Sequence, residues 1–273
     1  MAKGNRDFSR RYGPWALVAG ASEGLGAEFA RQVAARGVNL VLVARNEDRL
    51  AALSQELSGR HGVEVRTLAL DLAKRHILER IGERTRGLEI GLLVCNAALS
   101  LIGPFLDQPA EQHLRTLDVN CRAPLLLALD IGRAMVERGR GGIILMASMS
   151  GLQGTALVAH YAATKAYAFV LAEGLWEELA PRGVDVLAVG AGVIRTPNYL
   201  RSNPAKPRFF SAPEMEPEEV AAAALDALGT GPTVIPGRAN RLTSLLIRRV
   251  LPRRLAIRTI SMTTRQMYGK RPA

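Results

Sequence analysis

Little in this chain of 273 residues suggests a covalent staple, a membrane span or a leader segment. Its two cysteines, Cys95 and Cys121, both fall in predicted buried elements. That excludes a disulfide framework or a cysteine metal site and is the pattern of reduced thiols in a cytoplasmic protein. No apolar run reaches about eighteen residues, so no membrane-crossing helix is expected. The opening stretch M-A-K-G-N-R-D-F-S-R-R-Y-G-P is polar and has no apolar core of the secretory kind. Acidic residues stop at Asp226. Beyond it lie ten Lys and Arg, so 26 basic and 25 acidic side chains share the first 226 residues. The net charge of +11 therefore belongs almost wholly to the C-terminal tail. That tail lacks interleaved aromatics and any nucleic-acid motif, which argues against a nucleic-acid partner.

What is present is a hydrophobic content of 48%, enough for one sizeable core, arranged as alternating strand and helix patterns. The run Gly142-Ile-Ile-Leu-Met-Ala147 suits a buried parallel strand, and Ser148 stands where it stops. Tyr161 follows thirteen residues later, and Lys165 one helical turn after that, on the same helix face. A nearby ammonium favours phenolate and is expected to lower the tyrosine pKa. Moving it from about 10 to about 7 takes about 4 kcal/mol, which one cation in a dry pocket and a cationic cofactor ring can supply. Such a tyrosine exchanges protons near neutral pH. Upstream, Trp15-Ala-Leu-Val-Ala-Gly20 reads as a strand running into the turn Gly20-Ala21-Ser22-Glu23-Gly24-Leu25-Gly26. The helix from Leu25 to about Arg36 offers free N–H groups to a pyrophosphate.

In combination, Gly20, Gly24 and Gly26, Asn96-Ala97-Ala98, Asn120, Ser148 and Tyr161-x-x-x-Lys165 resemble the short-chain dehydrogenase/reductase family over about Trp15 to Gly237. Repeated strand–helix alternation and the resemblance both imply an α/β fold, a single Rossmann-type doubly wound domain with a seven-stranded parallel sheet. Residues 1–13 then form an N-terminal arm and 14–238 the catalytic domain. Residues 197–216 form a substrate lid carrying Tyr199, Phe209 and Phe210, and 239–273 a basic amphipathic tail. The resemblance implies that Ser148 polarises the substrate oxygen and Tyr161 donates the proton. Lys165 lowers the tyrosine pKa and binds ribose, and Asn120 organises a water on the proton path. Gly20, Ser22, Gly24, Leu25 and Gly26 would cradle the pyrophosphate. Asp71 and the N–H of Leu72 would touch the adenine, although Asp71 also reads as the N-cap of a helix beginning near Leu72. Asn96, Ala97 and Ala98 would line the cofactor, and Val193 and Thr196 would hold the nicotinamide carboxamide.

The strand Val38–Ala44 ends in Arg45, where NAD-preferring relatives carry an acidic residue. A guanidinium can pair with a 2′-phosphate, so the cofactor expected is NADP(H). Three positions depart from the family pattern: Ala19 for Thr, Ala98 for Gly and Ala191 for Pro. If position 98 needs positive φ, alanine is strained there. The reaction implied is hydride transfer between nicotinamide and a lipophilic ketone or secondary alcohol, a 3-oxoacyl chain or a steroid. The alternative is a weakly catalytic dinucleotide-binding protein that senses redox state or scaffolds through its tail. Relatives pair through the long helices flanking the fifth strand, which implies a homodimer or homotetramer. In the tail, Pro252 is expected to separate a pair of helices. One carries an apolar face of Leu242, Leu245, Leu246 and Val250. The other carries Leu255, Ile257, Ile260 and Met262. Docking on the enzyme's own cleft or a partner subunit, and peripheral contact with a membrane, remain open readings of these faces.

Overall fold

The computed structural model describes residues 3–205 and 213–269. The apolar runs become β1 (Trp15–Ala19), β2 (Asn39–Ala44), β3 (Val65–Ala69), β4 (Ile90–Cys95), β5 (Gly141–Met146), β6 (Val184–Val189) and β7 (Thr233–Val234). All pair in parallel in the order β3-β2-β1-β4-β5-β6-β7. Between them run α1 (Lys3–Tyr12), α2 (Gly24–Ala35), α3 (Glu47–His61), α4 (Ile77–Thr85), α5 (Ala110–Leu117), α6 (Ala123–Arg138), α7 (Ala159–Leu179), α8 (Pro197–Arg201) and α9 (Pro217–Ala227). The tail adds α10 (Arg238–Leu245) and α11 (Arg253–Tyr268). Strands β1, β4 and β5 are buried along their whole length because helices cover both sheet faces. Phe29, Leu50 and Val220 from α2, α3 and α9 pack on one face. Ile77, Ile81, Leu127 and Phe169 from α4, α6 and α7 pack on the other. Strand order reverses between β1 and β4, and a cleft opens at the carboxyl ends of the strands there, as open α/β sheets require.

Local chemistry sets the helix limits. The Asn46 side chain caps α3 by accepting from the Arg49 N–H at 2.9 Å, and Gly62 closes it at φ +67°. The helix expected near Leu72 begins instead at Ile77. Asp71 turns the chain locally, its Oδ1 accepting from the Ala73 N–H at 3.0 Å and its Oδ2 from Arg115 at 2.6 Å. The expected long helix before β5 is α5 and α6 joined by a π turn, Asp118–Arg122.

Two terminal regions differ from a plain reading of their polarity. The N-terminal arm is a docked helix. Tyr12 is buried and donates to Asp185 Oδ2 at 2.7 Å, while Arg11 grips both oxygens of the same carboxylate at 2.6 and 2.8 Å. Gly91 permits this approach, since a Cβ there would lie 2.4 Å from the Gly13 carbonyl oxygen. In the tail, Pro252 does separate α10 from α11, but most of the expected apolar faces point outward, with Ile260 alone of them lining the cleft. The α10 segment and its following π turn direct Asn240, Ser244 and Ile247 inward, and α11 turns Ala256, Ser261 and Thr264 inward. Leu242, Leu245, Val250, Leu255 and Met262 face outward. Some of the expected lid, with Phe209 and Phe210, lies outside the described residues.

Candidate active site

Strand β5 ends in the body of the cleft, and Ser148 directly follows it. Its Oγ accepts from the Ser150 N–H at 3.2 Å and so starts the 3-10 turn Met149–Leu152. Gly151 lets that turn lie on α7, because a Cβ there would meet the Lys165 carbonyl carbon at 2.6 Å. Tyr161 and Lys165 leave α7 one turn apart, both toward the cleft. The Lys165 Nζ sits 5.7 Å from the centre of the Tyr161 ring and donates to the Met146 carbonyl at 2.7 Å. Burial pushes the Lys165 ammonium down to about 8.

In the protein alone the balance at the tyrosine is set by burial. Burial pushes the Tyr161 phenol up, and the hydroxyls of Ser148 and Ser100 work against that rise without cancelling it. Desolvation dominates there, and the Lys165 ammonium donates to the Met146 carbonyl. The site thus stores Tyr161 protonated, the form needed in a proton donor.

The cleft encloses about 1430 Å³. Of the site residues named from the sequence, Gly20, Ser22, Gly24, Leu25, Arg45, Asp71, Leu72, Asn96, Ala97, Ala98, Ser148, Tyr161, Lys165, Val193 and Thr196 all line it, whereas Gly26 and Asn120 do not. Gly26 acts from beneath: a Cβ there would stand 1.9 Å from the Gly20 carbonyl oxygen, so only glycine closes this turn. Gly20 itself has φ +90°. The Asn96 amide donates to that same Gly20 carbonyl at 2.9 Å and ties β4 to the glycine turn. No side chain caps the first turn of α2, which leaves its N–H groups for an anion. This cradle, with Arg45 exposed at the end of β2, fits a phosphorylated dinucleotide.

Asn120 is buried in the π turn, behind the cleft wall. Its Oδ1 accepts from the Leu99 N–H at 2.8 Å, and its Nδ2 donates to the Leu99 carbonyl and to Thr164 Oγ1, each at 2.9 Å. Its side chain therefore fixes the wall segment next to Ala98 and joins it to α7. Ala98 has no positive φ, so the alanine there is not strained. Thr196 caps α8, its Oγ1 accepting from the Tyr199 N–H at 3.2 Å. Arg115 and the backbone of Ala73 hold the Asp71 carboxyl below its usual range, although burial alone would raise it.

Several cleft residues were not found from the sequence. Glu23, in the glycine turn, pairs with both Arg49 of α3 and Arg201 of α8, which bridges the cleft mouth. Arg49 was legible in principle, four residues after Arg45 in A-R-N-E-D-R-L. Ser100 and Tyr268 line the same cleft as Tyr161 from distant segments and left no local signal. The tail closes the outer wall. Ile260, Thr263, Thr264, Met267 and Tyr268 line the cleft, the Thr264 and Thr155 hydroxyls bond at 3.0 Å, and Ser261 Oγ accepts from the Ala156 N–H at 3.0 Å. Buried Asn240 donates to the Pro236 carbonyl at 3.0 Å and packs against Gly192. The tail docks on the chain's own cleft.

Comparison with known proteins agrees with this geometry. The family model described as short chain dehydrogenase matches residues 14–206. A 7beta-hydroxysteroid dehydrogenase of Clostridium sardiniense is 34% identical over 86% of this chain and 90% of its own. A very-long-chain 3-oxoacyl-CoA reductase of Phaeosphaeria nodorum is 35% identical over 70% of this chain and 60% of its own. Among solved structures, one of a 7beta-hydroxysteroid dehydrogenase superposes with a TM-score of 0.85 at 28% identity, covering 93% of this chain and 98% of the other. A short-chain dehydrogenase from Sphingobium yanoikuyae in complex with NADPH gives 0.73 at 35% identity, covering 82% and 87%. The family match covers most of the sheet, the glycine turn, Ser148, Tyr161 and Lys165, and the chain is an oxidoreductase belonging to the short chain dehydrogenase family.

Proposed function

We propose that this chain is an NADP(H)-dependent oxidoreductase that interconverts a lipophilic ketone, steroid-like or 3-oxoacyl, with its secondary alcohol. The observation that carries the reading is the convergence of Ser148, Tyr161 and Lys165 on the cleft that the glycine turn also lines. The relatives named for hydroxysteroid and 3-oxoacyl-CoA substrates, and the NADPH complex, point to the same chemistry.

NADPH, when bound, supplies the hydride. The α2 N-terminus and the glycine turn would hold the pyrophosphate, Asp71 and Leu72 would flank the adenine, and Arg45 would select the 2′-phosphate. Val193 and Thr196 would hold the carboxamide. Ser148 donates to the substrate oxygen, and Tyr161 gives that oxygen its proton as the carbonyl is reduced. The remaining phenolate is stabilised by Lys165 and the Ser100 and Ser148 hydroxyls. Asn120 keeps the Leu99 wall in place and would organise a water on the path by which Lys165 recovers a proton from solvent. Oxidation runs through the same groups in reverse.

A homodimer or homotetramer would form through α5, α6 and α7, which expose Leu114, Leu117, Leu125, Leu129 and Val170. Among the described residues no helix is long and apolar enough to cross a membrane. The protein would act in the cytoplasm, with its tail resting against a membrane surface. Tyr161→Phe tests the chemistry: turnover of a panel of bulky ketones should fall at least about a thousandfold, while NADPH still binds in a fluorescence titration. Substantial remaining turnover would overturn the assignment.

A further inference from the structure

The two tail helices are built inside out for segments that merely dock on their own protein. Their inward faces hold mostly small or polar side chains, Asn240 and Ser244 on α10 and Ala256, Ser261 and Thr264 on α11, with Ile247 and Ile260 among them. Their outward faces carry the large aliphatics. Leu242 is 59% exposed, Leu245 55% and Val250 62%, and Leu255 and Met262 are similarly open. Arginines occupy the same stripes. Arg238, Arg241, Arg248 and Arg249 flank the leucines of α10, and Arg254, Arg258 and Arg265 alternate with Leu255 and Met262 on α11. None of these arginines forms a salt bridge to an Asp or Glu among the described residues. No carboxylate side chain follows Asp226, so neither helix carries a counter-charge of its own.

A face of this composition selects its occupant. A second copy would bring like charge onto like charge. A nucleic acid would attract the guanidinium groups but would leave Leu242, Leu245 and Val250 with nothing to stack on. An anionic bilayer satisfies both components at once, with phosphate headgroups for the arginines and acyl chains for the aliphatics. We infer that the outward face of α10 and α11 docks on an anionic lipid bilayer. This rests on the reading of the tail as the outer wall of the cleft and specifies what the far side of that wall meets. The inner side of α11 presents Ile260, Met267 and Tyr268 to the cleft, so one helix contacts both the bilayer and the substrate space. A lipophilic substrate dissolved in the bilayer is then within one helix diameter of the site, about 10 Å.

The test is co-sedimentation of the full-length protein with vesicles of phosphatidylcholine alone or with about one third phosphatidylglycerol. The protein should pellet with the anionic vesicles at least about tenfold more strongly than with the neutral ones, and high salt should weaken the association. The triple variant Leu242→Ser, Leu245→Ser, Val250→Ser keeps every charge. It should lose about tenfold of the association while its melting temperature and NADPH affinity stay unchanged. Absent association, equal association with both vesicle types, or full association of the triple variant would each overturn the inference. Ketone turnover measured without vesicles separates the two readings. Loss of vesicle association with turnover intact defeats only the docking surface, and association without turnover defeats only the assigned reaction.

Discussion

Replacing Lys165 by methionine should make the protein more stable near neutral pH while removing its activity. Methionine fills much the same volume but carries no charge. Burial lowers the Lys165 pKa from 10.5 to about 8, a cost of about 3 kcal/mol for holding the ammonium in the folded state near pH 7. Against this, the variant loses the charged hydrogen bond to the Met146 carbonyl, about 2 kcal/mol. The net gain is on the order of 1 kcal/mol, or roughly 3 °C in melting temperature. The pH dependence makes the argument sharper. Between about pH 8 and 10.5 the unfolded chain binds more protons at this position than the folded one, so this group makes wild-type stability rise with pH. By about pH 10 the folded-state lysine is neutral and the ionisation cost has fallen below roughly 1 kcal/mol, so the variant's advantage should shrink to near zero. Equilibrium urea unfolding of both proteins across this range measures the difference directly. A difference that stays constant, or that moves in the variant's favour as pH rises, would refute the reasoning.

Other outcomes follow from the same geometry. Arg45→Glu should weaken NADPH binding at least about tenfold in a fluorescence titration and leave NADH much less affected; equal losses for both would remove Arg45 from the 2′-phosphate site. Gly26→Ala puts a methyl 1.9 Å from the Gly20 carbonyl oxygen, so NADPH titration should show no saturation and the melting temperature should drop. Wild-type affinity would show that the turn does not form as described. Asp185→Ala strips Arg11 and Tyr12 of their shared acceptor and should cost about 2 kcal/mol in urea unfolding, with faster amide exchange in α1; an unshifted midpoint would mean that α1 is held by other contacts.

The sheet was legible because parallel strands covered on both faces read as unbroken apolar runs, and Ile90–Cys95 and Val184–Val189 carry their limits in their composition. The cleft was legible where chemistry sits in short motifs: the glycine turn, Ser148, and Tyr161 with Lys165. What escaped depends on partners far along the chain. Helix α1 is polar by composition and docks through long-range partners, among them Asp185, which receives Arg11 and Tyr12. The tail's helices showed their periodicity, but periodicity cannot say which stripe faces the protein. Thr155 and Thr264, more than a hundred residues apart, decide that. Spacing also brought Lys165 near Tyr161, but the aim of the ammonium toward Met146 is a matter of three dimensions.

The π turn at Asp118–Arg122 works as a phase shifter. The Ala123 N–H reaches back to the Asp118 carbonyl, so this stretch holds one residue more than an α-helix of the same pitch would. One α-helical residue subtends about 100°, so a single deletion here would leave a smooth rod whose two halves are rotated against each other by about that angle. Leu114 and Leu117 would swing around the axis relative to Leu125 and Leu129, and Asn120 could not meet both Leu99 and Thr164. A deletion that makes the helix more regular would therefore disassemble the cleft wall and the outer apolar face together, although neither lies in the deleted segment.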